Sequence, residues 1–345
     1  MITEIFEVNE QSNNALEKAA QLIRSGALVG IPTETVYGLG ANAYDGKACL
    51  EIFKAKGRPA DNPLIVHIAT PTDAENIAYT NELYYKLALR FMPGPLTVIL
   101  PKKDIIPSEV TAGLDSVAIR CPENKIARRL IELSGVPIAA PSANKSGMPS
   151  PTTAQHVYND MKGEIPLILD GGECEVGVES TVISITDNSI MLLRPGQVTC
   201  EMLRDVCENV SVSSAVTEEL KPGEKALSPG MKYKHYAPKA PLMLVDCSDA
   251  KYEEFIKENN ANTVAVLAYT EQLDRIHSAA PDVYCFDFGS KEDEADQAAR
   301  LFSILRETDK QSFTAIYAPL PKTSGMGLAL YNRMIRAAAH RIVRL

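Results

Sequence analysis

Hydrophobic and polar positions over the first two-thirds of the chain follow helical and strand patterns in no strict alternation. Helical periodicity over residues 13–25, 47–55 and about 124–134 is interspersed with short apolar runs that are typical of strands. These runs lie at 27–31, 63–68, 96–100, 117–120, 137–140 and 165–170, and the segments 180–185 and 190–194 are spaced as a hairpin. The mixture predicts an α/β domain with a large twisted mixed sheet and helices around it.

The last hundred residues show a cleaner pattern, in which apolar strand-like runs alternate with helical stretches. The runs lie at about 242–246, 263–269, 283–288 and 314–318, and a long helix is predicted over 325–343. Regular strand–helix repetition is typical of a parallel sheet. It predicts a small Rossmann-like α/β domain.

Residues 211–240 lack apolar periodicity, and their second half is rich in Gly, Pro, Lys and Tyr. Such a composition indicates an extended linker. We therefore predict a first domain at 1–210, a linker at 211–240 and a second domain at 241–345, which agrees with the two domains expected for 345 residues.

Composition narrows the possible functions. A formal net charge of −9 disfavours a dedicated nucleic-acid binder, whereas a local cationic pocket would suit a small polyanion. The 7 cysteines are scattered without a C-x-x-C pair and the 5 histidines lack metal-ligand spacing, which argues against disulfides or zinc and for a reducing cytosol. No apolar run approaches the roughly 20 residues of a membrane span, so no membrane partner is expected.

Two segments carry the candidate chemistry. Lys54, Lys56 and Arg58 form a cationic cluster broken by Gly57, and about eighty residues later Pro141-Ser-Ala-Asn-Lys-Ser-Gly supplies short hydrogen-bonding side chains. Cations and small polar groups together are typical of a phosphate site. The Walker and dinucleotide glycine patterns are absent, so the phosphates would be held by side chains and irregular loops. The alternative is structural: cations stabilise the end of a helix, and Ser and Asn are common in turns.

These two segments, together with several further motifs, resemble the YrdC-like threonylcarbamoyl-AMP synthases in their long two-domain form. The further motifs are Pro32-Thr-Glu-Thr-Val-Tyr-Gly-Leu-Gly40, Pro93-Gly-Pro-Leu-Thr97, Gly177-Val-Glu-Ser-Thr181, Leu193-Arg-Pro-Gly196 and Ser228-Pro-Gly-Met-Lys-Tyr-Lys-His-Tyr-Ala-Pro238. The resemblance covers the first two-thirds of the chain and the linker. It implies a YrdC-like fold for the first domain.

The resemblance also implies a nucleotidyltransferase reaction. L-Threonine, bicarbonate and ATP, with Mg2+ on the nucleotide, would give threonylcarbamoyl-AMP and pyrophosphate for the N6-threonylcarbamoyladenosine modification of tRNA. A tRNA threonylcarbamoyl transferase would take the product, and weak tRNA contact is a further expected interaction. We expect the threonine amine to form a carbamate, whose oxygen attacks the α-phosphorus of ATP in line.

The resemblance also implies site residues, at the positions where this sequence matches the family motifs. Lys56 and Arg58 are implied as catalytic. The implied ATP-binding residues are Lys56, Arg58, Asn62, Ser116, Ser142, Asn144, Ser150, Arg194, His235 and Tyr236. The implied threonine-binding residues are Thr35, His67, Arg120, Ser180 and Thr181, with Arg120 on the substrate carboxylate. No protein ligand to the metal is assigned.

Structural alternatives stay open for several of these residues. His67 lies within an apolar strand, where a hydrogen-bonded core histidine is common, and Thr35 could be a turn or cap residue. Arg120 needs a partner if it is buried. The linker residues His235 and Tyr236 would close over the cavity as a lid that excludes water, or belong to a plain spacer.

Two other functions compete. One is an RNA-binding or ribosome-associated module without turnover, which the acidic charge disfavours. The other is a carbamoyl transferase that uses carbamoyl phosphate. Proteins of that kind carry acylphosphatase-like and Cys-rich zinc segments, and neither occurs in this sequence.

Overall fold

The computed structural model describes residues 1–218 and 236–345, which fall into two compact units. Of the described residues, the first unit comprises 1–146 and 150–218. The second unit comprises 147–149 and 236–345. None of the helices in the described ranges is long and apolar enough to cross a membrane.

The first unit is a mixed α/β structure. Its strands are β1 (Glu4–Glu7), β2 (Val29–Ile31), β3 (Gly38–Asn42), β4 (Ile65–His67), β5 (Leu96–Pro101), β6 (Ser116–Arg120), β7 (Ile138–Ala140), β8 (Leu167–Asp170), β9 (Thr181–Ile185), β10 (Ile190–Arg194) and β11 (Val210–Val212). Its helices are α1 (Asn13–Arg24), α2 (Gly46–Lys56), α3 (Ala74–Ile77), α4 (Glu82–Phe91), α5 (Ser108–Thr111), α6 (Lys125–Ser134), α7 (Ala154–Met161) and α8 (Cys200–Arg204).

One mixed sheet of 11 strands joins this unit, in the order β1-β8-β2-β3-β7-β4-β6-β5-β9-β10-β11. At its centre β4 and β6 are parallel, β5 is antiparallel to β6, and β9 is parallel to β5. The predicted hairpin forms between β9 and β10. The predicted fold class of a large mixed sheet with surrounding helices is confirmed.

Two helices pack on one part of the sheet and form its core. Leu16 and Ile23 of α1 and Leu130 of α6 are fully buried against Val29 of β2 and Ile138 of β7. The spacing of Leu16 and Ile23 places both on one face of α1, as the helical periodicity predicts. Burial of this apolar surface is the main stabilising contribution to the unit.

Helix α2 has clear start and stop signals. The Asp45 carboxylate accepts hydrogen bonds from the backbone N–H groups of Lys47 and Ala48, and Gly57 ends the helix in the left-handed region at φ 61°. Lys54 and Lys56 therefore lie on the last turn of the helix, and only Arg58 follows it. The helix predicted over 47–55 thus forms with nearly the same bounds and includes two of the three cations.

The second unit contains a parallel sheet, as predicted. Its strands are β12 (Leu242–Asp246), β13 (Val264–Ala268), β14 (Tyr284–Asp287), β15 (Ala315–Pro319) and β16 (Ile342–Arg344), in the order β14-β13-β15-β12-β16. Its helices are α9 (Asp249–Glu258), α10 (Leu273–Ala279), α11 (Glu294–Thr308) and α12 (Gly327–Ala337).

The long helix predicted over 325–343 is wrong at its end. Helix α12 ends at Ala337, and Ala339 and His340 adopt positive φ values of 48° and 58° that reverse the chain. The chain then enters β16, which pairs in parallel with β12. The apolar Ile342 and Val343 form a strand only by pairing with β12, about a hundred residues earlier in the chain. No local pattern therefore distinguishes them from the end of the helix.

Regular structure occurs at the start of the segment predicted as a linker. Residues 210–212 form β11, which pairs in parallel with β10, and Ser214–Val216 form one 3-10 turn. Most of the motif between Ser228 and Pro238 lies outside the described residues. The predicted boundaries at 210 and 240 remain predictions.

Candidate active site

Polar side chains from neighbouring strands share one row across the centre of the first unit. His67 of β4 pairs in register with Arg120 of β6, and Arg120 pairs with Thr97 of β5. Thr97 pairs with Val182 of β9, which pairs with Arg194 of β10. Since neighbouring strands lie about 4.8 Å apart, this register brings residues from distant parts of the sequence side by side.

Arg120 is held by an internal carboxylate. Its Nη2 donates to Glu34 Oε1 at 2.7 Å, and each side chain is only 4% exposed. Burial opposes ionisation of Glu34, but the charge and hydrogen bond of Arg120 outweigh it and hold the pKa of Glu34 below its usual value. Arg120 Nε has no partner among the described residues. Part of the guanidinium is therefore available for a second anion.

His67 is neutral in this setting. Burial, followed by the nearby charge of Arg120, lowers its pKa to about 3. Its Nδ1 lies 3.3 Å from the carbonyl oxygen of Ile138, so the neutral ring has a backbone partner there. It can offer a hydrogen bond to a ligand but carries no charge near neutral pH.

Ser180 lies at the centre of a second group of contacts. Its hydroxyl lies 2.8 Å from Thr97 Oγ1 and accepts from Arg194 Nη2 at 3.1 Å, while Arg194 Nε donates to the Ser180 carbonyl at 3.0 Å. All three residues are buried. Arg194, implied as a nucleotide residue, thus lies beside Ser180, implied as a threonine residue.

Thr181 and Thr35 serve their own loops in this state. Thr181 Oγ1 donates to the Val198 carbonyl at 2.8 Å, and a Cβ on Gly196 would lie 2.5 Å from the Thr181 nitrogen. Only glycine therefore fits at the end of the Arg-Pro-Gly motif. Thr35 is fully buried, with its hydroxyl 3.0 Å from that of Thr33.

The predicted phosphate segments meet at the other end of the central strands. Lys56 Nζ donates to the carbonyl oxygens of Ser142 at 2.5 Å and Asn144 at 2.6 Å. The Ser142 hydroxyl donates to Asn144 Oδ1 at 2.5 Å. Lys56 is 4% exposed, so its cation is buried next to the small polar side chains.

Arg58 and Asn62 extend this cluster. Arg58 Nη2 donates to the Asn62 carbonyl at 3.1 Å, and the guanidinium lies over the Phe53 ring at 5.7 Å. The Asn62 side chain is fully buried, yet neither its Oδ1 nor its Nδ2 has a partner among the described residues. A buried amide without hydrogen bonds costs about 1–3 kcal/mol, so this position is expected to bind a ligand or water.

The remaining predicted residues are more dispersed. Ser116 begins β6 at the same end as Asn62, and Ser150 donates to Glu179 Oε1 at 2.5 Å. Tyr236 belongs to the second unit, where its ring stacks on Phe302 with centroids 5.0 Å apart. His235 lies outside the described residues.

Neither thiol nor metal-cluster chemistry is indicated. Burial raises the pKa of Cys49 and Cys121 to about 12 and raises that of Cys174 as well, so these thiols stay protonated and are poor nucleophiles. Across residues 1–218 and 236–345, no group of three or more His, Cys, Asp or Glu side chains could hold a metal ion.

Two residues of the site were missed from the sequence. Glu34 and Thr97 lie inside the motifs Pro-Thr-Glu-Thr and Pro-Gly-Pro-Leu-Thr, but neither was assigned a role. Glu34 would have been found by asking which carboxylate neutralises Arg120. Thr97 depends on the antiparallel register of β5 and β6, which the sequence does not reveal.

Comparison with known proteins gives matches over nearly the whole chain. A family profile for the Sua5, YciO and YrdC proteins, described as telomere recombination, matches residues 21–196, and one described as the C-terminal domain of threonylcarbamoyl-AMP synthase matches 198–339. The chain is 45% identical to a threonylcarbamoyl-AMP synthase of Pyrococcus abyssi, over 95% of both chains. It is 44% identical to one of Bacillus subtilis, over 95% of this chain and 94% of the other.

Comparison with solved structures gives matches to the same kind of protein. P. abyssi Sua5 in complex with L-threonine has a TM-score of 0.88 and 44% identity, over 100% of this chain and 99% of the other. A variant of the same protein has a TM-score of 0.90 and 43% identity, over 100% and 98%. The match extends through both units of the fold. The chain therefore belongs to the threonylcarbamoyl-AMP synthase family.

Proposed function

We propose that this chain makes L-threonylcarbamoyl-AMP and pyrophosphate from L-threonine, bicarbonate and ATP. The observation that carries the proposal is the buried row of His67, Arg120 and Thr97. Within this row, Arg120 Nε has no hydrogen-bond partner among the described residues. A relative of 44% identity was solved with L-threonine bound. The product would serve the threonylcarbamoyl modification of tRNA, through a downstream transferase and with at most weak tRNA contact by this chain.

The threonine end of the site would use the row. Arg120 would bind the substrate carboxylate with the donors that Glu34 leaves free, since guanidinium–carboxylate pairs are strong and directional. Ser180, Thr181 and Thr35 would meet the substrate hydroxyl, and neutral His67 would add a hydrogen bond. Such a site rejects analogues that lack the hydroxyl, because its buried polar groups would be left unpaired.

The nucleotide end would use the cluster at Lys56 and Arg58. Arg58 would contact phosphate oxygens there, and Lys56 would add positive charge while it holds the loop of Ser142 and Asn144. Arg194 would reach the phosphates from the threonine end, where it lies beside Ser180. Asn62, with its unpaired amide, and Ser116 and Ser150 would bind other parts of ATP. The linker residues His235 and Tyr236 remain predicted nucleotide contacts.

Mg2+ would enter with ATP as part of the substrate. The Ser142 hydroxyl and the Asn144 amide oxygen are hard oxygen donors that fit a Mg2+ ion held mainly by phosphates and water. When bound, the ion supplies charge neutralisation for the phosphates.

The chemistry follows from positioning. The threonine amine adds to the carbon of bicarbonate-derived CO2 and loses a proton, which gives a carbamate. A carbamate oxygen then forms a bond to the α-phosphorus as the bond to the β-phosphate oxygen breaks and pyrophosphate leaves. Glu34 stays ionised and paired and His67 stays neutral, so the described residues act mainly by orientation and charge stabilisation.

Pyrophosphate release tests the proposal. We expect release from ATP and Mg2+ only when both bicarbonate and threonine are present, and much less with serine or valine. Arg58→Ala should lose most of the release, whereas Lys86→Ala, in an exposed ion pair on α4, should not. Failure of the wild-type chain to release pyrophosphate in a threonine-dependent way, together with salt-dependent tRNA binding, would favour an RNA-binding module instead.

A further inference from the structure

Two lysines connect the end of helix α2 with the loop after β7 in opposite directions. Lys56, the last residue of α2, donates from the helix to the loop carbonyls of Ser142 and Asn144 at 2.5 and 2.6 Å. Lys145 donates from the loop to the carbonyl of Ala55 at 2.7 Å. The Ser146 nitrogen adds a backbone bond to the Lys56 carbonyl at 2.9 Å. We call these four bonds the two-lysine clamp.

The physical setting favours cations at both positions. The last carbonyls of a helix have no intrahelical partner and carry partial negative charge, so Lys145 meets an acceptor that α2 cannot satisfy itself. The Lys145 ammonium also pairs with Glu164 at 3.0 Å, and its backbone nitrogen donates to Asp160 Oδ2 at 3.3 Å. Lys145 is therefore anchored from two sides although its side chain is 39% exposed.

The clamp joins two segments that are distant in sequence and that both carry proposed nucleotide contacts. Arg58 follows α2 directly, while Ser142 and Asn144 lie in the loop, and 86 residues separate Lys56 from Ser142. Gly57, in the left-handed region, frees the chain from the helix just before Arg58. Only contacts across the gap can therefore fix the spacing between the guanidinium and the loop side chains.

We propose that Lys145 is a positioning residue that holds the phosphate-contacting groups of the two segments at a fixed spacing. This proposal rests on the proposed function, since it takes ATP as the ligand of these segments. Lys145 acts through Ala55 and Glu164 rather than by touching the nucleotide. Unlike Lys56, it was assigned no role from the sequence.

Calorimetric titration of the full chain with Mg2+ and a non-hydrolysable ATP analogue tests the proposal. Lys145→Met keeps the aliphatic stem and removes the ammonium, and we expect the Kd for the analogue to rise about 3–10-fold, as for a partly exposed charged hydrogen bond. The Kd for threonine should stay within about twofold, because His67 and Arg120 lie at the other end of β4 and β6. Lys145→Arg should restore nucleotide binding to within about twofold.

A matched control is Lys86→Met. Lys86 pairs with Glu82 at 2.7 Å on α4, which makes it a surface Lys–Glu pair without a bond to a backbone carbonyl of the site. It should leave both dissociation constants unchanged. Glu164→Gln removes only the ion pair of Lys145, and it should have a smaller effect than Lys145→Met if the bond to Ala55 is the one that matters.

A double-mutant cycle separates positioning from direct contact. If Lys145 acts through the loop, the effects of Lys145→Met and Asn144→Ala on analogue binding should be clearly non-additive. Additive effects, an unchanged analogue Kd in Lys145→Met, or equal weakening of analogue and threonine binding with a lower melting temperature would each overturn the proposal. A wild-type chain that binds no analogue would overturn the proposed function as well, so the two failures are distinguishable.

Discussion

The two units bury polar side chains in different ways. In the first unit, Arg120 and Asn62 reach the interior from separate strands and loops and leave hydrogen-bonding atoms unmet among the described residues. In the second unit, Gln297 donates to the nearby carbonyls of Ser290 and Lys291, and the fully buried Arg333 donates to its neighbour Asn332. At Gln297 and Arg333 buried polarity thus serves local structure, whereas at Arg120 and Asn62 it remains available to a ligand.

The contrast matters because the second unit has a fold that often binds ligands. In open parallel sheets, ligands usually lie at the carboxyl ends of the strands. A cavity of about 120 Å3 does lie there, beside the ends of β12 and β15. Two of its charged groups are already paired within the lining: Lys291 donates to Asp249 at 2.6 Å, and Glu294 accepts from the Gly327 N–H at 2.7 Å. Fold alone is therefore a poor guide to the location of the chemistry.

The largest effect is expected at the buried ion pair of the first unit. Arg120→Ala leaves Glu34 buried without its partner, which should lower the free energy of unfolding by about 3–5 kcal/mol and abolish threonine-dependent pyrophosphate release. Urea unfolding and the pyrophosphate assay measure the two effects.

A double variant separates folding from function at this pair. Arg120→Met combined with Glu34→Leu removes both charges, and apolar replacements of a buried pair are often tolerated. Stability should largely return while use of threonine does not. Return of both would mean that Arg120 serves only the fold.

The buried His67 of the first unit should make the stability of the fold depend on pH. The folded chain holds His67 neutral with a pKa of about 3, whereas the unfolded chain takes up a proton below about pH 6.5. His67 therefore makes the free energy of unfolding fall as pH drops from 6.5 towards 3, by up to about 1.4 kcal/mol per pH unit. Between pH 6.5 and 5, urea unfolding of His67→Gln should show a flatter dependence than wild type.

An equal slope in His67→Gln and wild type would contradict a neutral buried His67.

Substitutions of buried amides should have opposite signs in the two units. Asn62→Leu removes an amide without partners and should raise the stability of the free chain by about 1–2 kcal/mol while weakening ATP binding. Gln297→Leu breaks two hydrogen bonds to carbonyls and should lower stability by about 1–3 kcal/mol. Thermal unfolding of both variants measures the change in stability, and nucleotide titration measures the change in ATP binding. Destabilisation by Asn62→Leu would indicate that Asn62 serves the fold.

The smallest effect is expected in the cavity of the second unit. Lys291→Met breaks a half-exposed pair, which is worth about 0–1 kcal/mol. Neither the KM for ATP nor that for threonine should change by more than about twofold. A larger change in either constant would show that this cavity takes part in the reaction.

The sequence was sufficient for features that depend on local pattern. Apolar periodicity predicted α1, α6 and most strands of both sheets, although not β1 or β3, and the hairpin of β9 and β10 followed from spacing. Long-range pairing was not predictable in this way. Strand β16 was merged into α12, and β11 into the linker, because short edge strands become strands only through their partners β12 and β10.

The site shows the same division. Motifs led to Lys56 and Asn144, which are bonded to each other in the fold, and to Arg58, which donates to the Asn62 carbonyl. The hydrogen-bond partners of the site residues were not predictable. No local pattern shows that Lys56 donates to loop carbonyls or that Glu34 pairs with Arg120. Those contacts depend on the order and register of strands that come from distant parts of the chain.

The parallel pairing of β4 and β6 has a consequence for the size of the substrates. Asn62 and Ser116 lie at the amino ends of the two strands, and His67 and Arg120 lie at their carboxyl ends. Because a strand rises about 3.3 Å per residue, the path along β6 from Ser116 to Arg120 measures about 13 Å. One inserted residue would lengthen this path and turn Arg120 to the opposite face of the sheet. The two strands thus act as a ruler, and their residue count sets the distance across which nucleotide and amino acid must meet.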